Sequence, residues 1–133
     1  MRVAFIMRGV PGSGKSTIAK VIVGKDGIIH CTDDLRMKTG KYVFDPVESK
    51  IQHRANFRYF CRSLRRKLPV VICDNTNIRW DSFKKYIRAA QNAGYLVAIV
   101  TIPHPTAASA ARRTSHNVPI DVIKKMINDW QPW

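Results

Sequence analysis

Two kinds of segment alternate along this chain. Near-continuous apolar runs fall at residues 3–7, 27–31, 70–73 and 95–102. They are short and bounded by Gly, Pro or polar residues, the pattern of strands buried on both faces of a sheet. Between them lie longer stretches with helical spacing. Residues 18–23 form a short helical run that stops near Gly24, and residues 79–93 form another, closed by Gly94. The longest runs from Val47 to about Leu68, with Val47, Ile51, Ala55, Phe60, Leu64 and Leu68 as its apolar stripe and Pro69 as its stop. Residues 37–46, with Gly40 and Pro46, read as a loop. Pro103 and Pro105 break the fourth strand, and a basic, alanine-rich segment at 106–115 follows. Val118-Pro119 opens a last helix to about Asp129. Strand–helix alternation of this kind predicts right-handed crossovers and a parallel sheet of about four strands in an α/β protein. In such sheets ligands sit beyond the carboxyl ends of the strands.

The first junction carries the strongest chemical signal. The apolar run 3–7 is followed by Gly9-Val10-Pro11-Gly12-Ser13-Gly14-Lys15-Ser16-Thr17 and then by helix, the strand–GxxxxGK[ST]–helix context of a phosphate-binding loop. Glycines allow successive backbone N–H groups to turn toward a polyphosphate with no Cβ in the way. Lys15 supplies a cation for the β- and γ-phosphates, Ser16 offers a hydroxyl to Mg²⁺, and the helix N-terminus adds partial positive charge. The chain is therefore expected to bind a nucleoside triphosphate.

The second junction carries Thr32-Asp33-Asp34-Leu35-Arg36. A kinase holds an acceptor hydroxyl in line with the γ-phosphate, and a carboxylate can take that hydroxyl's proton. An arginine fork can hold a phosphate or carboxylate on the acceptor. The plainer alternative, an Asp cap with a surface ion pair to Arg36, loses weight directly after a phosphate-loop unit. A third junction ends in Asp74-Asn75-Thr76-Asn77.

Charge adds a partner. Of 133 residues, 23 are Lys or Arg against 9 acidic, a formal net charge of +14. A nucleotide alone does not call for that excess, whereas a polyanion does. On the long helix Lys50, Arg54, Arg58 and Arg62 recur every four residues, followed by Arg65, Arg66 and Lys67, with Glu48 the only acid. Four residues rise ~6 Å, about the spacing of phosphates along a single strand. Tyr42, Phe44 and Tyr59 could stack on bases but are better read as core packing, as are Trp130 and Trp133. The length suits a single domain, residues 1–133. No apolar stretch approaches the ~20 residues of a membrane span, and a core strand at the N-terminus argues against a signal peptide. Cys31, Cys61 and Cys73 are expected as buried, reduced thiols of a cytoplasmic protein, and no His or Cys spacing suggests a metal cluster.

GxPGSGKST, then DDxR after strand two, then Asp-Asn-Thr-Asn after strand three, together resemble the 5′-hydroxyl polynucleotide kinase family. The tail Arg112-Arg113-Thr114-Ser115-His116-Asn117-Val118-Pro119 is similar to that family's lid, so the likeness spans nearly the whole chain. It implies a three-layer P-loop kinase fold with a helical lid at about 105–118. It also implies transfer of the ATP γ-phosphate to the 5′-hydroxyl of DNA or RNA. By position, Asp33 would be the general base and Arg36 the acceptor clamp, with Lys15 and Arg113 stabilising the transferring charge. Donor contacts would come from Gly9, Pro11, Gly12, Ser13, Gly14, Lys15, Ser16, Thr17, Arg112 and Arg113. Ser16 would ligate Mg²⁺, with Asp74 as an indirect metal partner. Asn75, Thr76, Arg54 and Arg58 would contact the acceptor. The family's earlier lid arginine falls here on Ser109, with Arg112 beside Arg113 instead. No phosphatase domain is expected, and the basic charge leaves room for self-association. A small-molecule kinase and a nucleotide-regulated nucleic-acid-binding module are the alternative functions.

Overall fold

The structure is a computed structural model that describes residues 1–32, 46–114 and 117–132. Four strands, β1 (Val3–Arg8), β2 (Ile28–His30), β3 (Val70–Asp74) and β4 (Leu96–Thr101), form one sheet in the order β2-β3-β1-β4. Every pairing is parallel, with Ala4 level with Val71 on one side and Val97 on the other. The period-2 pleat sends alternate side chains to opposite cores. Ala4, Ile6, Val71 and Cys73 pack with α2 (Pro46–Arg65) and α3 (Trp80–Asn92), whereas Phe5, Met7, Val70 and Ile72 pack with α1 (Lys15–Val23). The expected three-layer, four-stranded architecture is present. Phe60, Phe83 and Tyr86 form the first core's centre and are almost wholly buried, each contributing about 1.5–3 kcal/mol.

Helix α2 departs from the predicted stripe. Its buried residues are Asn56, Phe60, Ser63 and Leu64, while Val47 and Ile51 are 69% and 53% exposed. The packed face is rotated because two of its members are polar and satisfied. Asn56 donates to the Tyr86 hydroxyl at 3.0 Å, and Ser63 pairs with His30 at 2.7 Å. Hydrophobic spacing cannot register such positions. Tyr59, expected in the core, is 45% exposed. The helix also ends at Arg65 rather than near Leu68, in a turn where Lys67 takes φ +59°. Pro46, assigned to a loop, starts the helix, as the fixed φ of proline favours. Cys73 is buried, but Cys31 and Cys61 are half-buried, and no disulfide forms.

Inside the basic segment lies α4 (Ala107–Arg113), whose first turn is capped when Thr106 Oγ1 accepts the Ser109 N–H at 3.1 Å. It packs on α5 (Ile120–Asn128). Ala110, Val118 and Ile123 meet Val10 of the phosphate loop in a small separate core. The end of the described chain is held by Arg8, whose side chain is fully buried. Its guanidinium donates to the carbonyls of Asn77, Ile78 and Gln131 at 2.7–3.0 Å and stacks between Phe83 and Trp130. Trp130 is thus a packing residue, as expected. No helix among the described residues is long and apolar enough to cross a membrane.

Candidate active site

The loop between β1 and α1 is shaped by two glycines. Gly12 and Gly14 take φ +79° and +94°, left-handed conformations that other residues adopt only under strain. At Gly12 a Cβ would also collide with the backbone carbonyl of Ala110, so α4 rests directly on the loop. Before Gly14 the space is open. The loop is anchored behind by the Gly9 N–H on the Thr76 carbonyl and folded by the Ser13 N–H on the Val10 carbonyl, both at 3.1 Å. Gly14 is the N-cap of helix α1 and supplies no side-chain cap, so the N–H groups of the first turn are available to an anion. Ser13 Oγ is buried with no hydrogen-bond partner. These unmet donors and the open space fit a polyphosphate. The helix begins at Lys15, three residues earlier than apolar spacing indicated, because the loop's own residues form its first turn.

Asp74, the last residue of β3, joins the loop to the sheet. One carboxylate oxygen lies 2.6 Å from Lys15 Nζ and the other accepts the Ser16 hydroxyl at 2.9 Å. Lys15 and Asp74 side chains are only 8% and 3% exposed, so the attraction acts with little water between them. A carboxylate and a hydroxyl side by side form a hard oxygen donor set suited to Mg²⁺. The Asp74 carboxylate thus touches the Ser16 hydroxyl, the group through which an indirect role at a metal would act.

The residues after Asp74 are held by their own side chains. Asn75 Oδ1 accepts the Thr32 N–H at 2.9 Å, tying the exits of β2 and β3 together. Asn77, at φ +50°, donates to the Met7 carbonyl at 2.7 Å. Both amides also approach Cys73 Sγ at 3.7 Å, and burial pushes that thiol up to about 12, keeping it neutral. His30 is likewise kept neutral, burial pushing it down to about 4.

Beside this turn opens a cavity of about 450 Å³. Its floor is Pro11, Thr32, Asn75 and Thr76, at the carboxyl ends of the strands. Ser49 and His53 of α2 and Arg79 and Ser82 at the start of α3 form the sides. Val118, Val122 and Met126, beside and on α5, supply an apolar wall. Asn75 and Thr76 thus face a cavity, as their place after β3 suggested. Arg79, His53 and the α5 wall were not singled out from sequence; only Arg79's place two residues after the Asp-Asn-Thr-Asn turn offered a signal. Asp33 and Arg36 lie outside the described residues, although Asp33 follows Thr32 of the cavity floor in sequence.

Arg112 and Arg113 are both exposed at the end of α4. Arg113 stands three residues beyond Ala110, the residue that touches the loop, and shares its helix face, whereas Arg112 is turned away from it. Arg54 and Arg58 do not line the cavity. They border a second groove with Ile51, Phe57 and Lys85, farther along α2 and α3.

Known proteins share this fold. The family model described as "AAA domain" matches residues 5–132. Human NEDD4-binding protein 2 is 30% identical over 135 residues, covering 97% of this chain and 8% of that protein. The 2′,3′-cyclic-nucleotide 3′-phosphodiesterase of Pongo abelii is 32% identical over 100 residues, covering 72% of this chain and 23% of that protein. The chain thus spans less than a quarter of either relative. Among solved structures, a chain of the Pnkp1/Rnl/Hen1 RNA repair complex superimposes with TM-score 0.75 at 21% identity, covering 96% of this chain and 43% of that one. A gluconokinase from Sinorhizobium meliloti gives 0.65 at 17% identity, covering 99% and 78%. The fold is that of a P-loop kinase.

Proposed function

This chain belongs to the AAA domain family, and on that premise we propose that it transfers the γ-phosphate of ATP to the 5′-hydroxyl of a polynucleotide. The observation that carries the proposal is the pairing of two adjoining spaces. The cradle of Gly12, Gly14, Lys15 and Ser16 fits the donor, and the cavity past Asn75 and Thr76, half polar floor and half apolar wall, fits a nucleoside. The likeness to a chain of an RNA repair complex supports a nucleic-acid acceptor, as does the net charge of +14.

In this reading Lys15 leaves Asp74 for the β- and γ-phosphates. Ser16 would ligate Mg²⁺ with the Asp74 carboxylate behind its hydroxyl, and the ion would supply charge neutralisation on the triphosphate. The 5′-oxygen attacks the γ-phosphorus, its proton passes to Asp33, and the bond to the β,γ-bridging oxygen breaks to release ADP. Arg36 holds the acceptor's phosphate, and Arg113, on the face of α4 toward the loop, neutralises charge on the transferring group. A small-molecule acceptor is the second reading, favoured by the enclosed size of the cavity and by the gluconokinase likeness.

The test is transfer of label from γ-labelled ATP to a 5′-hydroxyl oligonucleotide, with Asp33→Asn as the control. Labelled oligonucleotide, reduced about 10²–10⁴-fold in the variant, is the expected result. Label passing to small polyols or nucleosides but not to oligonucleotides overturns it in favour of the second reading.

A further inference from the structure

The basic stripe of α2 is not where the chemistry is, and its position suggests a separate task. Helices α2 and α3 run together away from the strand ends, and each lines first the cavity and then the second groove. On α2, Ser49 and His53 face the cavity and Ile51, Arg54, Phe57 and Arg58 face the groove. On α3, Arg79 and Ser82 face the cavity and Lys85 the groove. From His53 to Arg58 the helix rises only about 7–8 Å, roughly one nucleotide of an extended strand. The groove, of about 510 Å³, is therefore the next feature along the same seam.

Its lining has a particular chemistry. The three cations Arg54, Arg58 and Lys85 are all exposed, and among the described residues no acid lines the groove with them. The nearby acids have partners of their own: Asp81 meets Lys84 at 3.7 Å and Glu48 accepts from Gln52 at 3.4 Å. Lys85 Nζ is poised 5.0 Å above the Phe57 ring, and Arg62 lies 5.6 Å from the Tyr59 ring on the adjacent exposed surface. Cations at one-turn intervals beside part-exposed apolar and aromatic side chains match a strand of phosphates and bases. They match an acidic peptide less well, since its carboxylates offer nothing to stack.

We propose that the α2–α3 seam at Arg54, Arg58 and Lys85 is a track for the phosphodiester backbone of a single strand, beyond the nucleoside held in the cavity. This rests on the polynucleotide reading of the cavity. The track raises affinity for long acceptors and takes no part in the transfer step.

The experiment compares the full chain with R54A/R58A/K85A, using 5′-hydroxyl strands of about 12 nucleotides and dinucleotides, a span set by typical single-strand sites. Binding is read by fluorescence anisotropy across salt concentrations. In the variant the affinity advantage of the long strand over the dinucleotide should shrink about 10–100-fold, and the slope of log Kd against log salt should fall by about 2, at ~0.7 per lost phosphate contact. The charge-preserving variant R54K/R58K should keep the parent's slope, which separates lost charge from lost folding. An unchanged slope and unchanged length advantage in the triple variant overturns the proposal. So does competition by polyglutamate of equal charge as effective as that by the strand. Strand binding with the expected slope change but no phosphoryl transfer would leave the track standing and remove the kinase reading. Transfer to dinucleotide and long strand with the same KM would do the reverse.

Discussion

The strand-end site and the α2–α3 seam both rest on cations, yet they use them in opposite ways. Lys15 is buried, bonded to Asp74 at 2.6 Å and fixed by a loop pinned at Gly12, where a side chain would meet the Ala110 backbone. Arg54, Arg58 and Lys85 are exposed and border an open groove. In the first region a charge works through geometry in a place with little water, so removing it strands its partner. In the second, exposed charges would act on the proposed strand through number and salt-dependent attraction, so each would be individually dispensable. Placement rather than residue type decides whether a cation is chemical or merely attractive.

The largest test of that contrast is Lys15→Met. Transfer should fall about 10²–10³-fold, and the nucleotide-free protein should lose about 3–5 kcal/mol because Asp74 is left buried and unpaired. Kinetics and chemical denaturation measure the two effects separately. A loss of activity with full stability would show that the pair is not a structural element. Gly12→Ala comes next. The positive φ alone costs roughly 1–2 kcal/mol, and the collision with the Ala110 carbonyl must displace α4. Both the melting temperature and ATP affinity should drop, whereas Gly14→Ala, with open space before it, should spare the packing of α4.

A pH experiment probes the sheet edge between the two regions. His30 is pushed down to about 4 by burial, against 6.5 in the unfolded chain. The unfolded state therefore takes up its proton first, and stability should fall as pH drops from about 6.5 to about 4, then level off. With the ring partly reached by solvent, the loss should be about 1–2 kcal/mol. His30→Gln should flatten that part of the stability profile. The smallest effects belong to the seam. Arg54→Ala or Arg58→Ala alone should weaken strand binding only about 2–5-fold, and the two should add within ~0.5 kcal/mol. Strong coupling between them would mean that the seam, too, depends on fixed geometry.

How much of this was legible in the sequence varied with range. The phosphate loop could be read residue by residue because its requirements are local: glycines for left-handed turns, then Lys and Ser on the next helix. The sheet was legible because strands buried on both faces are apolar throughout. The face of α2 was not. Its inward residues Asn56 and Ser63 are polar, and only their partners Tyr86 and His30, distant in sequence, make that burial tolerable. Arg8 is the sharpest case. Nothing in its local spacing marks it for burial, yet carbonyls from residues 77, 78 and 131 and the rings of Phe83 and Trp130 enclose it.

By itself, then, the sequence determined the layered fold, the donor loop and the excess of positive charge, since each follows from short-range spacing or composition. Tertiary structure alone decided that Asp74 meets both Lys15 and Ser16 and that α4 rests on the phosphate loop at Gly12. It alone also separated the cations of α2 from the cavity beside the loop. Those outcomes depend on helix rotation and on contacts between segments far apart in the chain, and no local pattern encodes either.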